Sequence, residues 1–329
     1  MNDIAMGTFD YAKQFPDSRR GRRLTQSSTT FRTVADGLRA WLERARTELE
    51  HSTLIGHERT IERTLIPEFG AMLLRDLTRA RLREWTIEHT ASAKRLNNLL
   101  APLRQMYSDE FDAGVIAVNP IAQFRVKRKR RADVIDPIDP FTPSEVESIL
   151  SKCEGQVHNL IKFAIWSGMR TSELMALRWR EVDLKKMKVG VRAAFVLGAR
   201  KAPKTAQGNR DVELLRPAAD ALKAQQSFTL LKSGAVFENP ATNEPWKTDK
   251  QIREWNWRRI LKVAGVRYRP FKQCRHTFAS MTLSVGENTL WVSRQLGHTD
   301  PTVTVRNYAR FMKSVTPDAG QKTEALWPN

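Results

Sequence analysis

Residues 125–140 read RVKRKRRADVIDPIDP, and this stretch decides how the chain can fold. Arg125, Lys127, Arg128, Lys129, Arg130 and Arg131 crowd six cations into seven positions. Like charges at that density repel one another, and Pro137 and Pro140, with Pro143 close behind, break regular structure. Such a segment is extended. The 329 residues therefore divide into two patterned bodies, 31–124 and 141–316, joined by a basic linker.

The first body has helical spacing throughout. Val34, Leu38, Trp41, Leu42 and Leu49 predict an opening amphipathic helix. HERTIERTLIPEFG predicts a helix stopped near Pro67 and Gly70, Thr78 is placed to cap the next, and Gly114 to end the last. Residues 1–30, with SRRGRR and QSSTT, read as a basic flexible arm.

In the second body TPSEVESIL predicts a helix capped by Thr142, with Pro143 at its first position and Glu145 in its first turn. MKVGVRAAFVLG and NRDVELL predict strands, with ARKAPKTAQG as the loop between them, and AVFENPATNEPW a further short strand and turn. The remainder is helical. The fold class is mainly α in two domains, the second α-rich with a small antiparallel sheet.

Charge narrows the function. Lys and Arg number 55 against 36 Asp and Glu, a net charge of +19 that attracts polyanions. No basic amphipathic helix with a bulky apolar face points to a membrane surface. No run of roughly 18 uncharged apolar residues would cross one. With no apolar signal core at the N-terminus, a cytoplasmic location is expected. Cys153 and Cys274 cannot build a disulfide framework, and no Cys/His cluster has zinc spacing.

The chemistry lies in four short stretches. In HNLIKFAIWSGMRTSELMALRW, Leu160, Ile161, Ala164 and Ile165 form an apolar helix face and Gly168 is placed to end it. Thr171 is placed to cap the next helix, with Glu173 near its positive end, so Arg170 lies in the turn between. KAPKT carries Lys201 and Lys204. In KQCRHTFASMTLSVG, Arg275 begins a helix with Phe278, Met281 and Val285 on its apolar face and Gly286 as its stop. In RQLGHTDPTVTVRNYARF, Gly297 ends a helix, His298 sits on the link, and Asp300 and Pro301 start the helix that carries Tyr308. On its own helix, beside Val305 and Phe311, Tyr308 reads as a core tyrosine.

Taken in order, SGMRTSEL, KAPKT, CRHTFAS, LGHTD and Tyr308 resemble the tyrosine recombinase (phage integrase) family over the whole second body. The helical first body resembles that family's core-binding, SAM-like domain. The resemblance implies a site-specific recombinase that integrates or excises a prophage or other mobile element. Tyr308 matches the nucleophile that forms a 3′-phosphotyrosine. Arg170 and Arg275 match the two arginines that hold the phosphate oxygens, and His298 the histidine that hydrogen-bonds the phosphate. Lys204 matches the lysine that protonates the leaving 5′ oxygen, with Lys201 the lesser candidate, and Glu173 an acidic supporting position.

One position departs from the family pattern. His-x-x-Arg is replaced by Lys272-Gln273-Cys274-Arg275. Lys272 can donate to a phosphate but is a poor acceptor for the tyrosine proton at neutral pH. His276 reads either as a substitute base or as a structurally bonded helix residue. Cys274 reads as a small buried residue. In WNWRR, Trp255 reads as core, with Arg258 or Arg259 toward phosphate.

The resemblance further implies double-stranded DNA attachment sites as partners and no metal, nucleotide or other cofactor. It implies a monomer in solution and a homotetramer on DNA, in association with the nucleoid. A directionality factor and a DNA-bending host protein are candidate accessories. The linker cations 125–131 are expected on phosphates, and the tail 317–329 reads equally as disordered or as docked on a neighbouring protomer. The alternatives are a type IB topoisomerase-like relaxing enzyme and an inactive DNA-binding relative.

Overall fold

A computed structural model describes residues 32–127, 138–202, 208–232 and 234–312, apart from the Trp255 side chain. The linker residues Arg128, Lys129, Arg130 and Arg131, the loop residue Lys204, and the segments 1–31 and 313–329 lie outside the described residues. The chain divides into two compact units, 1–134 and 135–329.

The first unit is all helix: α1 (Val34–Glu48), α2 (His51–Thr60), α3 (Ile66–Phe69), α4 (Arg79–Glu88), α5 (Ala93–Leu99) and α6 (Ala101–Asp112). Thr33 and Asp36 close a capping box at the start of α1, and Thr78 and Ser92 cap α4 and α5. Val34, Leu38, Trp41 and Leu42 of α1 are buried against Leu65, Phe69, Trp85, Leu103 and Met106. Each such side chain contributes about 1.5–3 kcal/mol by leaving water. The helical run that contains Pro67 stops at Gly70, as expected. A π turn over Ile61–Leu65, closed by Ile66 N–H donating to Ile61, joins α2 to α3. Pro67 sits in the first turn of α3, where a missing N–H is tolerated.

The second unit begins with α7 (Pro143–Ser151), α8 (Gly155–Ser167) and α9 (Thr171–Ala176). It continues through β1 (Val182–Asp183), β2 (Lys188–Val191), β3 (Ala194–Val196), β4 (Ala199–Lys201) and β5 (Arg210–Glu213) to α10 (Arg216–Thr229). After β6 (Glu238–Asn239) and β7 (Glu244–Pro245) come α11 (Asp249–Ile252), α12 (Arg258–Val263), α13 (Gln273–Ser284), α14 (Thr289–Leu296) and α15 (Thr302–Tyr308). Thr142 and Glu145 form the capping box of α7. Leu160, Ile161, Phe163, Ala164 and Ile165 are all buried, so α8 is enclosed on more than one side.

MKVGVRAAFVLG is two strands rather than one. β2 lies between β1 and β5 in an antiparallel sheet, with Val189 opposite Val212 and Val191 opposite Arg210. The chain leaves that sheet at Arg192, whose Nη1 donates to the Arg210 carbonyl at 2.8 Å. β3 then pairs with β4, so the start of the expected loop, Ala199 to Lys201, is strand. Trp257 of WNWRR is buried in the core, its Nε1 donating to the Arg269 carbonyl at 2.7 Å, while the side chain of Trp255 lies outside the described residues. Arg258 lies over the Tyr268 ring.

Candidate active site

Two left-handed glycines shape the site. α8 ends at Gly168 (φ 65°) and α14 at Gly297 (φ 64°), conformations that cost a residue with a Cβ. A Cβ on Gly168 would stand 2.5 Å from Phe278, and one on Gly297 2.7 Å from Arg210. The glycines thus let the chain turn tightly and let side chains close on the turns.

Arg170 follows the first turn and is itself the residue that precedes α9; Thr171 is the first helical residue, not the cap. The cap is supplied by Glu173, whose Oε2 accepts the Arg170 N–H at 2.9 Å. Glu173 Oε1 accepts from Arg170 Nη1 at 2.7 Å, and Arg210 adds two further bonds, Nη1 to Oε1 at 3.1 Å and Nη2 to Oε2 at 3.0 Å. Burial raises the Glu173 pKa, but the bonds and charges of Arg210 and Arg170 outweigh it and hold the carboxyl below the usual range.

The end of α14 is gripped by three arginines. Arg210 Nε donates to the Gln295 carbonyl at 2.9 Å, Arg275 Nη2 to Leu296 at 2.6 Å, and Arg170 Nη2 to Gly297 at 3.2 Å. These carbonyls are the negative end of the helix, and three successive cations satisfy them. α14 is held from the other side by Gln295, which pairs with the Glu213 main chain at 2.9 and 3.0 Å.

Arg275, in the first turn of α13, also donates Nη1 to the Gly168 carbonyl at 2.8 Å. Burial lowers its pKa to about 9, with Arg170 adding repulsion, which leaves it charged at neutral pH. Its Nη2 meets His298 Nε2 at 3.2 Å, while His298 Nδ1 meets Thr304 Oγ1 at 2.7 Å. A guanidinium can only donate, so Nε2 is the acceptor and Nδ1 carries the imidazole proton. Burial, then the charges of Arg275, Arg170 and Arg210, push the His298 pKa down to about 4.

Tyr308 ends α15 with its ring packed against Phe278, Leu283, Val292 and Leu296, only 1% exposed. Its hydroxyl lies 2.6 Å from His276 Nδ1. Burial raises the phenol pKa to about 12, and Arg275 draws it back only in part. At neutral pH Tyr308 is therefore a neutral phenol.

The structure brings Arg170, Glu173, Arg275, His276, His298 and Tyr308 together. Lys272 meets them only through its main-chain carbonyl, which accepts the Arg275 N–H at 3.2 Å; among the described residues its side chain makes no hydrogen bond to them. The Lys272 side chain is exposed at the start of α13 and lines a groove with Ser172, Phe195, Lys247 and Arg253. Cys274 is buried, and burial pushes its thiol pKa up. The apolar face of α13 is Phe278, Ala279 and Leu283; Val285 is 70% exposed, because it lies at the helix end beyond the packed turn. Of the linker, Arg125 donates to its neighbouring Phe124 carbonyl and Lys127 is exposed. Arg210 and Thr304 were not singled out as site residues by sequence reading. The only local signal for Arg210 is its place on a strand just after the Lys-Thr pair.

Among the described residues, no group of three or more His, Cys, Asp or Glu is placed to hold a metal ion, and no helix is long and apolar enough to cross a membrane.

An α-rich unit with a small antiparallel sheet, three arginines on one helix end and a tyrosine beside them defines the fold class of the tyrosine recombinases. Residues 140–314 match the phage integrase family, and residues 33–88 the N-terminal SAM-like domain of phage integrases. The chain belongs to the phage integrase family and is a site-specific DNA recombinase of the integrase type. It is 29% identical to the prophage integrase IntR of Escherichia coli (strain K12), over 91% of this chain and 80% of that one. Its fold is similar to that of the Tn1549 transposon integrase solved with a circular intermediate DNA (TM-score 0.72, 20% identity, 90% of this chain and 99% of that one). It is also similar to that of a lambda integrase tetramer bound to a Holliday junction (TM-score 0.65, 17% identity, 91% and 83%).

Proposed function

We propose that the chain integrates or excises a mobile element by breaking and rejoining DNA strands through Tyr308. The observation that carries this reading is the convergence on one helix end of Arg170, Arg275 and His298, with Tyr308 packed against that same helix. A phosphodiester is an anion whose transition state gains charge, and rigidly held guanidinium groups stabilise it.

In the proposed step the Tyr308 oxygen attacks phosphorus, the bond from phosphorus to the 5′ oxygen breaks, and a 3′-phosphotyrosine forms. Lys204 donates a proton to the leaving 5′ oxygen. Arg170 and Arg275 hold the non-bridging oxygens. His298 takes up a proton at Nε2 as the anion binds, and then donates from Nε2 to the phosphate in place of accepting from Arg275. A 5′-hydroxyl from the partner strand then attacks phosphorus and releases Tyr308. Because one phosphoester replaces another, rejoining needs no ATP, and the arginine pair does the work a metal would otherwise do.

The proposed assembly is four protomers on two attachment sites; a lambda integrase tetramer has been solved bound to a Holliday junction. The linker cations 125–131 contact phosphates within it.

Covalent trapping tests the reading. The protein is mixed with duplexes taken from the DNA adjoining its own gene and denatured, and protein–DNA adduct is measured beside Tyr308→Phe. The expected outcome is adduct with the native chain only, with Tyr308→Phe still binding. Adduct with Tyr308→Phe would displace Tyr308 as nucleophile. Tight binding with no adduct from the native chain would identify a binding protein instead.

A further inference from the structure

We infer that His276 is the group that takes the proton from Tyr308 as its oxygen attacks phosphorus. This rests on the reading of Tyr308 as the nucleophile. His276 is one residue beyond Arg275 on α13, and its Nδ1 lies 2.6 Å from the Tyr308 hydroxyl. The two rings are tilted by 46° with centroids 5.8 Å apart, so they meet through the nitrogen and not face to face.

The direction of that hydrogen bond follows from burial. Tyr308 is 1% exposed, and among the described residues His276 Nδ1 is the only hydrogen-bond partner of its hydroxyl. If Nδ1 carried a hydrogen, the phenolic hydrogen would have no acceptor in an enclosed site, which is costly. Nδ1 is therefore the acceptor, and the ring hydrogen is on Nε2. A nitrogen lone pair already aimed at the proton that must leave is what a general base requires.

Two other basic groups, Lys272 and His298, are badly placed for that proton. Lys272, where the family usually has a histidine, is exposed and opens onto the groove with Ser172, Lys247 and Arg253. Both nitrogens of His298 are engaged, one by Arg275 and the other by Thr304. The departure at position 272 thus leaves the reaction with a base four residues further along the same helix.

The step balances. The bond between Tyr308 oxygen and phosphorus forms as the tyrosine proton passes to His276 Nδ1, and the bond to the 5′ oxygen breaks as that oxygen takes a proton from Lys204. One proton enters the pocket side chains and one leaves, so its charge is unchanged. On rejoining, the incoming 5′-hydroxyl returns a proton to Lys204 and the departing tyrosine oxygen recovers its own from His276.

The test uses the duplexes adjoining the gene and follows single-turnover adduct formation. His276→Asn keeps an amide near the Nδ1 position, able to hold Tyr308 but not to accept its proton. It should slow cleavage by roughly 10²- to 10⁴-fold with DNA binding and melting temperature near native. His276→Ala should lose a similar factor and recover part of it when imidazole is added. Replacing Tyr308 by a fluorinated tyrosine of lower phenol pKa should shrink the loss in either variant. Cleavage by His276→Asn within about twofold of native would overturn the inference. So would a slow His276→Ala that neither imidazole nor fluorotyrosine restores, since that marks a structural role. Absence of adduct from the native chain would remove the nucleophile reading and this inference together. Native adduct with a fast His276→Asn would remove only the inference.

Discussion

Arg210 grips Glu173 with both ends of its guanidinium, at 3.1 and 3.0 Å, although the two residues are 37 positions apart. Both are nearly inaccessible to water, with side chains 8% and 5% exposed. The pair fixes the edge of the site: Glu173 orients Arg170, and Arg210 ties β5 to the end of α14.

Glu173→Gln should therefore destabilise the second unit by about 3–5 kcal/mol, because it leaves buried guanidinium charge without its partner. The folded pKa of Glu173 is depressed, so its contribution is complete above the unfolded value of 4.5 and is lost as pH falls through the folded one. Thermal melts from about pH 7 to about pH 3 should show native stability falling in acid and a flatter profile for Glu173→Gln. Parallel profiles would mean that the carboxylate is not the group responsible.

His298 should remain uncharged to about pH 4, against an ordinary value of 6.5. Between those values the unfolded chain binds a proton that the folded chain does not, so stability falls as pH drops through that window. Proton NMR of the imidazole should place its midpoint near the lower value in the free protein. A bound phosphodiester places negative charge against the ring, so the midpoint should rise on DNA.

Gly168→Ala should cost more than about 1 kcal/mol, since alanine resists a positive φ and its Cβ would meet the Phe278 ring at 2.5 Å. The shift moves the carbonyl that holds Arg275, so adduct formation should fall together with melting temperature. Unchanged values for both would show that the turn relaxes freely.

Arg275→Lys should reduce adduct formation by at least about 10²-fold while DNA binding persists. An ammonium cannot span the Gly168 and Leu296 carbonyls and meet His298 as the guanidinium does. Arg170→Lys should be gentler on folding, because the Arg170 side chain is 42% exposed.

Binding should weaken steeply with salt, each phosphate contact contributing a log–log slope of roughly 0.9. Replacing Arg125 and Lys127 together by alanine should reduce the slope by about two such contacts and weaken binding evenly across sequences. An unchanged slope would take these two linker residues off the DNA.

Where a feature depends on a few neighbouring residues, it could be read directly from the chain. Thr78 and Thr142 cap helices, and Gly168 and Gly297 end them, because capping is settled within one turn. The order of the motifs likewise identified the family. The helical run that contains Pro67 stops at Gly70, as its sequence suggests, but local reading failed where packing overrules it: the strand expected through Arg192 breaks to serve two sheets.

The sequence by itself determined the caps at Thr78 and Thr142, the two-part division of pattern and the arginine, histidine and tyrosine motifs. Only the tertiary structure decided which carbonyls the arginines hold, that Arg210 shares Glu173 with Arg170, and that His276 rather than Lys272 meets Tyr308. Apart from Arg170 with Glu173, those contacts join residues 21 to 127 positions apart. Spacing carries no signal for them, because they are set by how α8, α13, α14 and α15 pack and by the need of buried polar groups for partners.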